Sequence, residues 1–243
     1  AAERASAVIA VSEATRQDIV EHLQLSPERI HVVHEAAPIG MVRSNAAQIS
    51  AVRRKYGLPD RFLLYLGGFD VRKNVTTVLS TYRRAGPAIG EEGPVVIAGR
   101  LPERDTPFTP DPRRLAREQD IDERFVHFTG FVDEGDKPAL YKGAVAFIFP
   151  SRYEGFGLSP LEALACSTPV VGSDVSSVPE VVGDAGVLLP PDDAEGMAGA
   201  LIQLATDDGF RAELSRRALI RAQRFSWERT ARETLAAYRD VAV

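Results

Sequence analysis

The stretch FPSRYEGFGLSPLEALACSTPVVGSD, residues 149–174, contains the pattern that decides the fold. A short apolar strand ends in a glycine-bearing turn, a helix follows the turn, and a second apolar strand follows the helix. Near-continuous apolar strands joined by helices are typical of a parallel sheet covered on both faces. Two carboxylates bracket the turn, Glu154 before it and Glu162 within the helix. The stretch therefore predicts a β-α-β unit with charged groups at one edge of a sheet.

The same alternation continues on both sides of this unit. With the two strands of the unit included, apolar runs predict strands at 62–66, 95–98, 125–128, 146–149, 169–171 and 186–189. Most of them are separated by helical segments, while residues 178–182 predict a turn. This order is typical of an α/β, doubly wound parallel sheet of the Rossmann-like type.

Ligands of such sheets bind beyond the carboxyl ends of the strands. That rule brings four turns of this chain to one rim, although they are far apart in the sequence. They are Gly67 to Lys73, Gly99-Arg100, Gly130 to Val132, and Tyr153 to Leu158. We therefore expect the functional site at this rim.

Residues 1–45 predict a separate and incomplete β-α-β piece. Apolar runs at 7–11 and 30–33 predict strands, and Ser12 is expected to cap a helix over Glu13–Leu23 between them. Residues 36–50 predict a linker, followed by a helix through Tyr56 that Gly57 ends. Because the first piece has little to cover its two strands, we expect the chain to begin inside another domain.

The composition restricts the partners. The chain has 243 residues, a net charge of -5 and a single cysteine, Cys166. The charge gives no reason to expect nucleic acid, and one cysteine excludes an intramolecular disulfide. His31, His34 and the pairs Asp192-Asp193 and Asp207-Asp208 lack further ligands at metal-binding spacing, so no metal site is predicted. Without a signal pattern or an apolar run of ~20 residues, we expect a cytoplasmic protein; peripheral membrane contact stays open.

The turn at 155–158 can bind phosphate through its main chain. It opens directly into a helix, whose first N–H groups point outward at the positive end of the helix dipole. Gly155 and Gly157 remove side chains that would hinder a close approach. The alternative is a glycine turn that only allows tight packing between the strand and the helix.

The turn at 67–73 supports the phosphate interpretation. Gly67 and Gly68 allow a close main-chain approach, and Arg72 or Lys73 supplies a full positive charge for an anion. Asn74 is expected to cap the next helix. Without an anion, Arg72 and Lys73 would be a solvated helix start that opposes the helix dipole.

Glu154 and Glu162 admit two interpretations. As hydroxyl acceptors, two carboxylates beside a diphosphate suit a nucleotide sugar, with ribose on one side and hexose on the other. As a glycosidase-like pair, one of them would act as an acid. The helix N-terminus near Glu154 favours its ionised form, which argues against the acid role.

These pieces resemble the donor-binding half of retaining GT-B glycosyltransferases of family 4, also called group 1 glycosyl transferases. The resemblance covers nearly the whole chain. It is carried by AVIAVSEAT, YLGGFDVRKN, VIAGR, FTGFV, FIFPSRYEGFGLSPLEALACSTPVVGSD and the terminal FSWE helix. It implies that residues 1–45 are a remnant of the acceptor-binding domain plus a linker, and that residues 46–225 bind the donor. Residues 226–243 would then be a helix that crosses back to the first domain.

The resemblance also implies roles for single residues. Glu154 would bind the hexose hydroxyls, Glu162 the ribose, and Lys73 the diphosphate, with Glu154 and Lys73 as the catalytic pair. The remaining implied donor-binding residues are Gly67, Gly68, Arg72, Gly99, Arg100, Phe131, Val132, Lys137, Gly155, Phe156, Gly157 and Leu158. Many members of the family have arginine where this chain has Gly68, which leaves the substitute role of Arg72 open.

The activity implied by the resemblance is transfer of a hexose, with retention of configuration, from a nucleoside diphosphate sugar to a glycan or lipid-linked acceptor. Neither a cofactor nor a metal is implied. The GGFDVRKN turn is similar to that of mannosyltransferases and favours GDP-mannose, with UDP- and dTDP-sugars left open. The alternatives are a non-catalytic nucleotide-sugar binding module, and an epimerase or phosphorylase on a similar fold.

Overall fold

The computed structural model describes residues 4–41, 44–89 and 93–241. At its start, β1 (Val8–Ala10) and β2 (Ile30–Val32) pair in parallel, with Val8 opposite Ile30. Helix α1 (Glu13–Leu23) connects them, and the side chain of Ser12 caps it by accepting from the Thr15 N–H. This capped helix is the one that the sequence predicts.

The remaining strands of the described structure form one parallel sheet of six strands. Its strands are β3 (Leu63–Leu66), β4 (Val95–Ala98), β5 (Val126–Gly130), β6 (Ala146–Phe149), β7 (Val170–Ser173) and β8 (Gly186–Leu189). Their spatial order is β5-β4-β3-β6-β7-β8. The chain therefore first adds strands on one side of β3 and then returns to add β6 on the other. This confirms the doubly wound, Rossmann-like prediction and puts the reversal of strand order between β3 and β6.

Helices cover both faces of this sheet. Those connecting or flanking its strands are α2 (Ala46–Tyr56), α3 (Val75–Ile89), α4 (Pro112–Glu118), α5 (Lys137–Gly143), α6 (Leu158–Ala165), α7 (Val178–Val182), α8 (Ala194–Thr206) and α9 (Asp208–Ala222). On one face α5, α6 and α7 pack around Phe147 and Phe149, and on the other α3 and α8 pack around Ile97 and Ile148. Successive side chains of each strand alternate between these two cores, which explains why the strands read as apolar throughout.

Several local predictions differ from the structure. Helix α2 begins at Ala46 inside the predicted linker, because Asn45 and Gln48 form a capping box. Residues 178–182 form a short helix rather than a turn, with Pro179 in its first turn. Strand β7 extends to Ser173, two residues beyond the predicted end.

The terminal helix α10 (Trp227–Val241) contacts the segment that follows β2. The Trp227 indole donates to the Ala37 carbonyl over 3.1 Å, and the Thr230 hydroxyl donates to the His34 carbonyl over 2.6 Å. Ser226 caps this helix by accepting from the Arg229 N–H over 3.2 Å. The domain boundaries at 45 and 225 stay a prediction.

Cys166 follows α6 and is buried. Burial, together with the nearby Glu162 carboxylate, raises the pKa of its thiol to about 12. This cysteine is therefore a small apolar side chain of the core. Among the described residues, helices long and apolar enough to span a membrane are absent.

Candidate functional site

The turns that follow β3 and β6 meet at the rim where the strand order reverses. Lys73 lies in the first turn and Glu154 in the second, and Lys73 Nζ is 2.6 Å from Glu154 Oε1. The pair joins residues 81 positions apart in the sequence. Because both side chains are mostly but not fully buried, at 23% and 14% exposure, the ion pair remains open to a ligand at the rim.

One oxygen of Glu154 is saturated and the other is not. Oε1 receives Lys73 and also the hydroxyl of Ser151, which is 2.7 Å away. Within residues 4–41, 44–89 and 93–241, no donor forms a hydrogen bond with Oε2. A carboxylate accepts through both oxygens, so Oε2 retains its capacity to accept from a ligand hydroxyl.

The turn from Glu154 to Leu158 presents main-chain donors. In the described part of the chain, the N–H groups of residues 155–158 have no hydrogen-bond acceptor. Gly157 adopts φ +106°, a left-handed conformation that favours glycine, and it directly precedes α6. Phe156 is buried and anchors the turn to the core, whereas Leu158 is 40% exposed. The turn therefore offers free donors at a helix N-terminus, an arrangement that favours an anion.

Glu162 has a different environment from Glu154. It lies in the second turn of α6, is buried, and accepts from the Tyr141 hydroxyl over 3.0 Å. Burial raises its pKa, while the nearby Lys137 charge and the Tyr141 hydrogen bond act in the opposite direction. Lys137 itself pairs with Glu134 over 2.6 Å.

Gly68 of the first turn and Gly99 after β4 differ in the space around them. The Tyr65 hydroxyl donates to the Gly68 carbonyl, and a Cβ on Gly68 would meet only the Asp70 carboxylate, 3.8 Å away. Gly99 has φ +150°, and a Cβ there would lie 2.1 Å from the Gly67 carbonyl oxygen. Gly99 therefore allows the ends of β3 and β4 to approach each other, a packing reason in addition to its predicted ligand role.

The basic pair of the first turn does not start a helix of the α type. Arg72 and Lys73 lie in a 3-10 turn, Val71–Lys73, and Asp70 accepts from the Arg72 N–H and from its guanidinium over 2.8 Å. The aspartate hydrogen bond, together with its charge, raises the pKa of Arg72. The Arg72 guanidinium is thus paired locally, whereas the Lys73 ammonium extends to the other turn.

The predicted capping role of Asn74 is wrong. Its backbone is left-handed, with φ 55°, and its amide oxygen accepts from the Thr77 hydroxyl over 3.0 Å rather than from a main-chain N–H. Its NH₂ group donates to the carbonyls of Pro150 and Pro191 over 3.1 and 2.8 Å. Asn74 therefore connects the two turns from within.

The predicted base-binding residues lie at the end of β5 or just beyond it. Phe131 is 55% exposed, and the Arg100 guanidinium lies 5.5 Å from its ring centroid. The Val132 side chain is buried in the core, so only its main chain can face a ligand. Arg100 and Phe131 form a flat, exposed surface of the kind on which a base can stack.

Groups of three or more histidine, cysteine, aspartate or glutamate side chains that could hold a metal ion are absent from the described residues. His34 instead packs 5.8 Å from the Phe156 ring centroid, and its Nε2 lies 3.5 Å from Glu180. His31 lies 4.0 Å from Asp240 of the terminal helix. Both histidines contact neighbouring segments at the end of β2.

Several residues that shape the site were missed by the sequence reasoning. They are buried or partly buried serines and tyrosines that hold the turns: Ser12, Tyr65, Tyr141, Ser151, Ser176 and Ser177. Tyr65 and Ser151 lie within a few residues of the predicted turns, and this proximity in the sequence could indicate their role at the site. The others come from remote segments and have no such signal.

Comparison with known proteins agrees with this geometry. The family model for glycosyl transferases group 1 matches residues 48–221, which include both turns and both carboxylates. The chain belongs to the group 1 glycosyl transferases. The resemblance found in the sequence is therefore confirmed at the level of the family.

Two relatives from Escherichia coli are mannosyltransferases by name. The serotype-specific mannosyltransferase WbdA is 32% identical over 232 residues, which cover 94% of this chain and 28% of WbdA. The O-antigen chain mannosyltransferase B is 32% identical over 238 residues, 98% of this chain and 61% of that protein. The group 1 chain described here thus spans less than two thirds of either relative.

Solved structures share the fold. Sucrose-phosphate synthase from Thermosynechococcus elongatus superposes with a TM-score of 0.82 and 25% identity, covering 98% of this chain and 59% of that one. Anabaena HepE in complex with UDP-glucose superposes with a TM-score of 0.82 and 20% identity, covering 99% and 65%. These neighbours place the Rossmann-like sheet of this group 1 chain in the GT-B fold.

Proposed function

We propose that the chain is the donor-binding part of a retaining hexosyltransferase that transfers mannose from GDP-mannose to a glycan or lipid-linked acceptor. Membership of the group 1 glycosyl transferases supports a transferase that uses a sugar nucleotide. The names of the two Escherichia coli relatives support mannose as the sugar. The UDP-glucose bound by HepE is the reason to test uridine nucleotides as well.

The observation that carries the proposal is the Lys73–Glu154 pair beside a row of unpaired N–H groups. A diphosphate lying over residues 155–158 would accept from these N–H groups and from the Lys73 ammonium. The free oxygen of Glu154 would accept from a hexose hydroxyl next to that diphosphate. The free N–H groups and the free oxygen of Glu154 together suit a sugar joined to a phosphate.

The other rim residues suit the nucleoside. Glu162 would accept from the ribose hydroxyls, and the surface of Arg100 and Phe131 would receive the base. As the glycosidic bond breaks, negative charge grows on the departing nucleoside diphosphate. Lys73 and the free N–H groups are the donors that would stabilise this charge in the transition state.

The acceptor would be bound largely by parts of the protein outside this chain, since the matched residues cover only 28% of WbdA and 61% of mannosyltransferase B. Residues 1–45 would belong to that acceptor-binding region, and α10 would connect it to the donor-binding region. A cytoplasmic location, and peripheral contact with the membrane's inner face, are part of the same proposal.

Titration calorimetry of the chain with GDP, UDP and dTDP tests the donor site first. We expect GDP to bind most tightly, and the proposal fails if none of the three binds. Transfer is then measured with the full-length protein that contains this chain, using GDP-mannose and comparing Glu154→Ala with Glu118→Ala, which removes an exposed carboxylate elsewhere. We expect Glu154→Ala to lower transfer about 100-fold or more.

The configuration of the product tests the retaining mechanism. Proton NMR of the new glycosidic linkage should show the same anomeric configuration as in the donor, and the opposite configuration would refute it. The non-catalytic alternative predicts nucleotide binding without transfer by the full-length protein. Persistent transfer by Glu154→Ala would refute the role given to that carboxylate.

A further inference from the structure

The turn from Glu154 to Leu158, called the donor turn below, is held by the first turn of α1, which is remote from it in the sequence. The Gly155 carbonyl oxygen lies 2.6 Å from Ser12 Oγ and 2.8 Å from Thr15 Oγ1. These residues are 143 and 140 positions away from Gly155 along the chain. Ser12 is fully buried at this contact, so water does not compete for its hydroxyl.

The available protons assign the direction of these bonds. The Thr15 N–H donates to Ser12 Oγ over 3.0 Å as the helix cap, which occupies an acceptor site of the serine hydroxyl and leaves its proton to donate. The Ser12 and Thr15 protons can therefore both point at the Gly155 carbonyl. A carbonyl oxygen has two lone pairs, and the two hydroxyls use both of them.

Holding this carbonyl also fixes the next N–H. In a trans peptide the C=O and N–H bonds point in opposite directions, so the Phe156 N–H points away from α1. That N–H is one of the donors without an acceptor in the described structure. On the preceding peptide, Ser176 and Ser177 donate to the Glu154 carbonyl over 2.7 and 2.9 Å and fix the Gly155 N–H in the same way.

A second contact fixes α1 itself. Glu180 of α7 accepts from the Glu13 N–H over 2.8 Å and from the Ala14 N–H over 2.7 Å, one on each carboxylate oxygen. These are two of the unsatisfied donors at the start of α1. The start of α1 is therefore attached to the donor-binding region at two points, the donor turn and α7.

We propose that Thr15 and Ser12 are positioning residues that orient the Phe156 N–H toward the donor diphosphate, with Glu180 holding α1 in place for them. The inference rests on the proposed function, because it assumes that the diphosphate lies over residues 155–158. It assigns a role in donor binding to a helix outside the donor-binding sheet. Glycine at 155 makes this necessary, since a peptide beside glycine rotates easily.

Thr15→Val tests the proposal, because valine has the shape of threonine without its hydroxyl. Thr15→Ser, which keeps the hydroxyl, is the rescuing variant. Thr230→Val is the matched control, since it removes a similar hydroxyl-to-carbonyl bond between α10 and His34 without touching the donor turn. Ser12 is left intact because it also caps α1.

The measurement is the ratio of affinities for a nucleoside diphosphate and its monophosphate, by calorimetry, using whichever of GDP, UDP and dTDP binds the wild type. We expect Thr15→Val to weaken diphosphate binding about tenfold and monophosphate binding by less than twofold. Thr15→Ser and Thr230→Val should retain the wild-type ratio. This selective loss would not follow from a general loosening of the fold.

Two results would overturn the proposal while the proposed function stands. One is an unchanged diphosphate affinity in Thr15→Val, and the other is an equal loss of both affinities. If the wild-type chain binds none of the nucleotides, the proposed function fails and this inference fails with it. The wild-type titration therefore separates the two failures.

Discussion

The two glycine turns on either side of the strand-order reversal are stabilised in different ways. The turn after β3 has local contacts, since the Tyr65 hydroxyl bonds to the Gly68 carbonyl and Asp70 binds the Arg72 main chain and side chain. It has remote contacts as well, because the Arg72 carbonyl accepts from the Ser151 hydroxyl over 3.0 Å and from the Arg152 N–H over 2.7 Å. The turn after β6 is held from outside. Its carbonyls receive hydroxyls from Ser12, Thr15, Ser176 and Ser177, all of them more than twenty residues away.

The difference matches the groups that the two turns offer to a ligand. The first turn presents a charged side chain, Lys73, and a flexible ammonium needs little main-chain accuracy to reach an anion. The second turn presents main-chain N–H groups, which must be aimed by fixing whole peptides. Remote hydroxyls provide that orientation, so the ligand-binding N–H groups of the second turn depend on the tertiary structure more directly than the Lys73 ammonium does.

The largest effect is expected where the first turn packs against β4. Gly99→Ala would place a Cβ 2.1 Å from the Gly67 carbonyl oxygen, at a φ of +150° that alanine tolerates poorly. Since neither the strand nor the turn can move without breaking main-chain hydrogen bonds, we expect a loss of about 3 kcal/mol or more in the free energy of unfolding. Urea denaturation followed by circular dichroism measures it.

Gly68→Ala is the matched control for this variant. Its Cβ would meet only the Asp70 carboxylate at 3.8 Å, and its φ lies outside the left-handed region. We expect a change below about 0.5 kcal/mol. Equal destabilisation by the two substitutions would show that the first turn is not held in the way described.

Lys73→Met removes the charge that joins the two turns. Methionine keeps most of the apolar stem, so the main loss is the charged hydrogen bonding, worth about 2 kcal/mol or roughly 30-fold in affinity for a nucleoside diphosphate. Calorimetry with the nucleotide that binds the wild type measures it. Lys142→Met, at an exposed position on α5, is expected to leave the affinity unchanged. Undiminished binding by Lys73→Met would assign the diphosphate to the second turn alone.

Glu162→Gln should change stability and affinity in opposite directions. Burial raises the folded-state pKa of this carboxyl, so the folded protein disfavours the ionised form. Above that pKa the wild type carries this penalty and glutamine does not, so the variant should be more stable at pH 7.5. The difference should narrow as the pH falls through the folded pKa and disappear below the unfolded value of about 4.3.

Loss of the carboxylate should nevertheless weaken nucleotide binding about tenfold, because a ribose hydroxyl loses a charged acceptor. Thermal unfolding at pH 4 and pH 7.5, with and without nucleotide, separates the two effects. A variant that is less stable at pH 7.5 would mean that the Tyr141 hydrogen bond outweighs burial at this position.

Both turns could be found from the sequence, but only one could be understood from it. Apolar strands and the strand-end rule predict the sheet, the rim and the meeting of the two turns that carry Lys73 and Glu154, because these depend on local pattern and topology. The hydroxyls of Ser12 and Ser176 carry no local pattern, since serine at such positions is equally typical of caps and loops. Their role depends on a fold that brings distant segments together. Asn74 illustrates the same limit, because a position typical of a cap proved to be a tertiary connection.

The smallest predicted effect concerns Gly155, which the sequence assigns to close ligand approach together with Gly157. A Cβ on Gly155 would point at Val11 and meet it at an ordinary 3.9 Å, whereas Gly157 requires φ +106°. We therefore expect Gly155→Ala to change the free energy of unfolding by less than about 0.5 kcal/mol, against about 1–2 kcal/mol for Gly157→Ala. Because the new methyl group would face Val11, between β1 and α1, nucleotide affinity should also remain within about twofold of the wild type. A larger loss of affinity at unchanged stability would show that the ligand approaches from the side of Val11, and that the donor turn faces opposite to the direction inferred from its carbonyls.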